Sequence, residues 1–354
     1  MTREELEQLE IGTLHQAAME EAKKHWDGIA KPLDGLGRFE EFICRIAGIT
    51  GDPDVVLDKR GVIAMCADNG IVAEGVTQSP QEVTAIVSAN MAKGIASVCR
   101  MGSVAGVEVI PVNIGIHDEV SQPGLLDRNV RKGTRDFLLE PAMTQEEMYA
   151  AVEVGIRLVE DLKKKGYRVL ATGEMGIGNT TTSSAIASVL CRLPVQQVTG
   201  RGAGLSKEGV ARKVDVIQRA ISRYGLSDAD PLKVLQCVGG LDIAGLTGVY
   251  IGGALYRVPI VIDGVIAAVA ALVAERVLPG CRQYMLPSHM SGEPAAAAIM
   301  KELQLHPVID GNLSLGEGTG AVMLFPLLDM VLEVYRENTT FGAIRIQQYE
   351  RYER

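Results

Sequence analysis

The chain has 354 residues, 47% of them hydrophobic and 22% charged, which excludes global disorder and allows a large buried core. Aromatic residues make up only 4% and the net charge is −9, so neither a base-stacking surface nor binding to nucleic acid or an anionic membrane is expected. An anionic ligand would need a local cationic or amide-lined pocket.

The acidic start, Met1 to Glu7, lacks an apolar stretch and predicts no secretion signal. Leu6, Leu9, Leu14 and Ala17-Ala18 recur near helical spacing, and after the break at Lys31 to Arg38 a helical pattern resumes from Phe39 to Ile49. Then the texture changes. Gly61 to Cys66 is a short apolar run ending in Ala67-Asp68-Asn69-Gly70, as a buried strand feeding a loop would be. The same unit returns at Val107 to Val112, at Tyr167 to Thr172 and at Val258 to Ile262. Val195 to Val198 and Val234 to Val238 are weaker strand candidates, because Leu235-Gln236-Cys237 could also close a helix. The apolar run from Val258 to Ala274 is broken by Asp263-Gly264, so it reads as strand then helix, with no membrane span. Val322 to Asn338 is again helical, with Pro326 inside. Six cysteines are scattered without a C-x-x-C pair or a His/Cys cluster, so free thiols in a reducing cytoplasm are expected, and no metal site.

Strands alternating with helices predict an α/β fold: a Rossmann-like, three-layer domain with a mainly parallel sheet, over residues 56–322. A small helical subdomain is expected from both chain ends, 1–55 with 323–354. In such sheets ligands bind outside the carboxyl ends of the strands, and the glycine-rich loops are expected there.

Four of these loops carry candidate chemistry. Gly173 to Ser184 follows a strand and opens a helix; its glycines, exposed amides and hydroxyls suit an anion such as a phosphate. Its G-x-x-G-x-G spacing is not the dinucleotide fingerprint, and it lacks the lysine of a Walker loop. Thr199 to Leu205 adds Arg201, with Lys207 and Lys213 on the helix that follows; lysines on helices are most often solvated. Ser314 to Gly320 sets Glu317 between two glycines. A carboxylate held on such a loop among apolar neighbours suits a general base acting on a weakly acidic N–H, although a solvated turn is the plainer reading. Ser288 to Pro294 supplies short donors, and His289 within it reads as a packed or capping residue with no identifiable partner.

Together the motifs resemble one family. Lys31-Pro32-Leu33-x-x-Leu36-Gly37-Arg38, Glu74-Gly75-Val76, Pro80 to Thr84, Gly173 to Thr181, Gly200-Arg201-Gly202, Ser288-His289-x-Ser291-Gly292-Glu293 and Leu315 to Gly320 occur in order across residues 30–325. The set is similar to the nicotinate-nucleotide:5,6-dimethylbenzimidazole phosphoribosyltransferases of cobalamin biosynthesis. The resemblance implies transfer of ribose 5-phosphate from nicotinate mononucleotide to a benzimidazole base by a cytoplasmic homodimer that uses no cofactor. It implies Glu317 as the base and Glu174 as a carboxylate that stabilises developing positive charge or holds the ribose. It places phosphate and ribose on Gly176, Gly178, Asn179, Thr180, Gly202, Lys213, Ser291 and Gly292, and the flat acceptor near Pro80, Ile86 and Leu315. Many relatives have His where this chain has Asn69, so no catalytic role passes to that position. Two other readings remain open at this point: a phosphoribosyltransferase for another azole, purine or phenolic acceptor, and a non-catalytic nucleotide sensor.

Overall fold

A computed structural model describes residues 1–352. Six parallel strands form the sheet: β1 (Arg60–Ala67), β2 (Val107–Gly115), β3 (Leu126–Asp127), β4 (Val169–Met175), β5 (Ile260–Ile262) and β6 (Met285–Pro287), in the order β3-β2-β1-β4-β5-β6. A second, two-stranded parallel sheet pairs β7 (His289–Ser291) with β8 (Ile309–Leu313). Strand β1 explains why a near-continuous apolar run was needed. Ile63, Met65 and Ala67 face one helical layer, while Val62, Ala64 and Cys66 face the other.

On the first face lie the helices Gln145–Lys164, Asn179–Leu190, Leu241–Leu255 and Val265–Val277. Helix Leu241–Leu255 is apolar nearly all round and buried along almost its whole length. Its glycines let it touch Gln145–Lys164 backbone to backbone: a Cβ on Gly248 would stand 2.0 Å from the Val152 carbonyl oxygen, and one on Gly155 2.1 Å from that of Gly245. This close crossing fixes the start of the buried helix, where Asp242 sits beside the functional cleft.

The second face is covered from both chain ends. In helix Gln16–Gly28 the buried residues are Ala18, Ala22 and Trp26, four apart, and they share one core with Phe42 and Ile46 of Arg38–Thr50 and with Leu328, Leu332 and Tyr335 of Thr319–Glu337. An isolated antiparallel bridge, Ile29 to Thr340, ties the ends together.

Two sequence expectations need correction. Val195–Val198 is a short helix, and Val234 to Val238 lies in helix Pro231–Val238, which Asp230 caps through the Lys233 N–H. β-branched residues there serve helix packing, because Pro231 at the first turn and the Asp cap favour helix over strand. Consequently the Gly200 loop leaves a helix, not a strand. Among the described residues no helix is long and apolar enough to cross a membrane.

Candidate active site

Strand order reverses between β1, which continues to β2, and β4, which continues to β5. The crevice outside the carboxyl ends at such a switch point is the natural ligand site of an open α/β sheet. A cleft lies there, lined by the end of β4, the turn after β5, residues of β7, the end of β8 with the Glu317 loop, and the segments around Val76 and Arg201.

Glu174 is the last residue but one of β4, level with Met65 of β1. It is buried, and the Asn179 side chain donates to it and, at 3.0 Å, to Asp242 Oδ2. Burial and the neighbouring Asp242 carboxylate push its carboxyl up to about 8, against the Asn179 bond; burial lifts Asp242 to about 6. Gly176 follows within this packed turn, where a Cβ would meet the Ala67 carbonyl at 2.5 Å and Asp242 Oδ2 at 2.7 Å. Gly178 turns the chain with φ +94° into helix Asn179–Leu190, and no side chain caps that helix. In its first turn Asn179 N and Thr181 N are taken by the Gly176 and Gly178 carbonyls, at 3.0 and 2.9 Å, which leaves Thr180 N for an anion.

Thr180 connects this turn to a buried cation. Lys213 Nζ donates to Thr180 Oγ1 at 2.8 Å, and burial pushes the ammonium down to about 8, with Glu293 pulling the other way. Lys207, on the same helix Lys207–Tyr224, is exposed. Only Lys213 is held next to the cleft. Gly202 covers Thr180 so closely that a Cβ would sit 2.8 Å from its hydroxyl.

Glu317 lies on a strained loop. Gly316, Glu317 and Gly318 all have positive φ, at +86°, +62° and +95°. Three contacts hold the loop. Asp263, following β5, accepts from Gly318 N at 3.2 Å and Ala321 N at 2.9 Å. A Cβ on Gly173 would stand 2.4 Å from the Glu317 carbonyl, so the loop rests directly on β4. Glu317 Oε2 accepts from Val98 N at 3.0 Å, at the start of helix Ser97–Ala105. The glutamate is half-buried, and the more deeply buried carboxyl of the pair is Glu174.

Of the residues singled out from sequence, the structure gathers Glu174, Gly176, Gly178, Asn179, Thr180, Gly202, Ser291, Leu315 and Glu317 on one cleft, with Lys213 behind Thr180. Gly292 lies beside it, joining β7 to β8 through Leu313 O at 3.0 Å. Pro80 and Ile86 are exposed and fall outside the lining, where Val76, Thr77 and Gln78 stand instead. Sequence reasoning missed Asp242 and gave Asp263 no role. The second carried a signal, an acid immediately after an apolar strand. Asp242 carried none, since no strand precedes it. His289 was expected to lack a partner, yet it borders the cleft and touches Ser288.

The raised Glu174 carboxyl predicts how stability varies with pH. Between its unfolded value of 4.5 and about 8 the folded chain keeps a proton that the unfolded chain has lost, so stability falls as pH rises. Asp242 acts in the same sense up to about 6. Denaturant unfolding should show a loss of roughly 4 kcal/mol between pH 5 and 7, and Glu174→Gln should remove the larger part of that slope. An unchanged slope in the variant would move the effect to another group.

Along most of its length the chain is similar to known proteins. A family model described as phosphoribosyltransferase matches residues 11–346. The nicotinate-nucleotide–dimethylbenzimidazole phosphoribosyltransferase of Ruminiclostridium cellulolyticum is 43% identical over 340 residues, covering 96% of this chain and 97% of its own. That of Acetivibrio thermocellus is 44% identical at the same coverage. The crystal structure of CobT from Thermus thermophilus superposes with a TM-score of 0.88 at 35% identity, covering 94% of this chain and 100% of that one. The chain belongs to the nicotinate-nucleotide–dimethylbenzimidazole phosphoribosyltransferase family.

Proposed function

We propose that the protein transfers ribose 5-phosphate from nicotinate mononucleotide to 5,6-dimethylbenzimidazole, giving nicotinate and α-ribazole 5′-phosphate for cobalamin biosynthesis. The observation that carries this reading is Glu317, pinned over the end of β4 in a cleft that has a buried ammonium behind Thr180 and a helix start without a side-chain cap. The substrate carries a cationic pyridinium and a phosphate, and this cleft carries both signs.

The chemistry follows from the leaving group. The bond from C1′ to the pyridinium nitrogen breaks with its electron pair returning to the ring, so nicotinate departs without needing a proton. The unprotonated azole nitrogen forms the new bond from the opposite face, and the anomeric carbon inverts. The azole N–H then gives its proton to Glu317. Positive charge develops on the sugar in between, as in other glycosyl transfers, and Glu174 is the carboxyl we assign to it. Although the Glu174 carboxyl is raised in the free protein, an arriving pyridinium favours its ionised form. We assign the phosphate to the turn Gly176 to Thr180 with Lys213, and the sugar to the side of Ser291 and Gly292. The flat acceptor belongs against Leu315, with Pro80 and Ile86 further out. The same reading makes the acting form a cytoplasmic homodimer.

Purified protein mixed with nicotinate mononucleotide and 5,6-dimethylbenzimidazole should yield nicotinate and α-ribazole phosphate in equal amounts by mass spectrometry. Nicotinate alone would mean hydrolysis. Tight binding of the nucleotide without consumption would favour a sensor.

A further inference from the structure

His289 opens β7 and is only 3% exposed, yet it borders the cleft. Its ring is locked. Nδ1 lies 3.0 Å from Ser288 Oγ, and that same oxygen lies 2.6 Å from the Ile262 carbonyl. A carbonyl only accepts, so the Ser288 proton is committed to Ile262, and Oγ must receive the hydrogen of Nδ1. The reverse arrangement would set two lone pairs against each other at 2.6 Å. Gly320 admits the ring, since a Cβ there would stand 2.0 Å from Nδ1 and 2.1 Å from Cε1. Asp263 lies alongside, but its two oxygens are turned to Gly318 N and Ala321 N.

Nε2 has no protein partner among the described residues. It opens towards Gly264, 3.8 Å from where a Cβ would lie, with Ser291 Oγ at 4.0 Å from the same point. Burial keeps the ring neutral against the pull of Asp263, so Nε2 presents a lone pair to the cleft. A lone pair needs a donor from the ligand. In the two substrates assigned above, the phosphate, the carboxylate and the pyridinium nitrogen offer none. The donors are the ribose hydroxyls and the azole N–H, and the N–H is the proton that goes to Glu317.

We propose that His289 Nε2 accepts a hydrogen bond from a ribose hydroxyl of the bound nucleotide, making this residue the reader of the sugar. The proposal rests on the substrate reading above. It makes the ring a determinant of ribose over deoxyribose, because an unmet lone pair in a buried site is costly.

The test is calorimetric binding of nicotinate mononucleotide and its 2′-deoxy and 3′-deoxy analogues to the full chain. His289→Asn keeps a donor for Ser288 and removes the cleft-facing acceptor; His289→Gln reaches the Nε2 position with an amide oxygen. The wild type should bind one deoxy analogue about 10-fold more weakly than the ribonucleotide. His289→Asn should bind the ribonucleotide about 10-fold more weakly and no longer distinguish the two, and His289→Gln should restore part of the distinction. A wild type indifferent to both hydroxyls, or an Asn variant that still discriminates, would overturn the proposal. Turnover of the wild type with the benzimidazole is scored separately. Discrimination without α-ribazole phosphate would remove the proposed reaction and leave the sugar contact standing.

Discussion

Glu317→Gln should lower turnover by roughly 10²–10⁴-fold while leaving nucleotide affinity within about twofold, the range expected when a positioned general base is removed. The substitution is nearly isosteric, and the amide oxygen can still accept from Val98 N, the bond that orients the carboxylate now. The loop itself is held by backbone contacts to Asp263 and Gly173, which do not involve the side chain. Only proton affinity is lost. Because the turn and the Lys213 that we assign to the phosphate are separate from Glu317, binding of the nucleotide should survive. Kinetics with 5,6-dimethylbenzimidazole as acceptor, paired with calorimetry on the nucleotide alone, separate the two effects. Turnover equal to that of the wild type would take Glu317 out of the base role and turn attention to Glu174. A parallel loss of nucleotide binding would instead indicate a collapsed loop.

Much of this site was legible because backbone needs and ligand needs coincide in it. Gly176, Gly178 and Gly316 to Gly318 are glycine-rich where the chain must turn with positive φ or pack against another strand, and the same turns each lead into a helix at the cleft. Such segments interrupt apolar runs, so they stand out in the sequence. Strands β1, β2, β4 and β5 were legible for a similar reason: strands buried on both faces read as unbroken apolar stretches, and even the three residues of β5 lie in the longer apolar run from Val258. Strands β3, β6, β7 and β8 were not, since their two to five residues stand in no such run, and β8 is largely exposed. Burial of polar groups was the other blind spot. Nothing in the order of residues distinguishes Lys213 from Lys207, six positions earlier on the same helix; tertiary packing alone decides which is enclosed. Asp242 and His289 are of the same kind, each defined by a partner far away in the chain, Asn179 for one and the Ile262 carbonyl, through Ser288, for the other.

Lys213→Met should shift stability and binding in opposite directions. The ammonium is fully buried with a neutral hydroxyl as its hydrogen-bond partner, and its proton affinity drops from 10.5 to about 8. That drop corresponds to roughly 3 kcal/mol of destabilisation carried by the charged form. For a depressed lysine the cost is present in full below about pH 8 and fades as pH rises from 8 towards 10.5, where the unfolded chain also loses its proton. At pH 7, then, a methionine of similar length should stabilise the ligand-free protein by about 2 kcal/mol, after Thr180 gives up its donor at a cost of about 1 kcal/mol. Nucleotide affinity should fall about 100-fold, because a charge-assisted bond to the phosphate disappears from a site where water cannot replace it. The ligand supplies the anion that the apoprotein withholds, and so the stored cost returns as binding energy. In the wild type the same logic makes affinity decline as pH passes 8, and in the variant that decline should vanish. Thermal unfolding at pH 7 and calorimetric titration from about pH 6 to 9 read both. A variant less stable than the wild type with unaltered affinity would show that Lys213 serves the fold and not the phosphate.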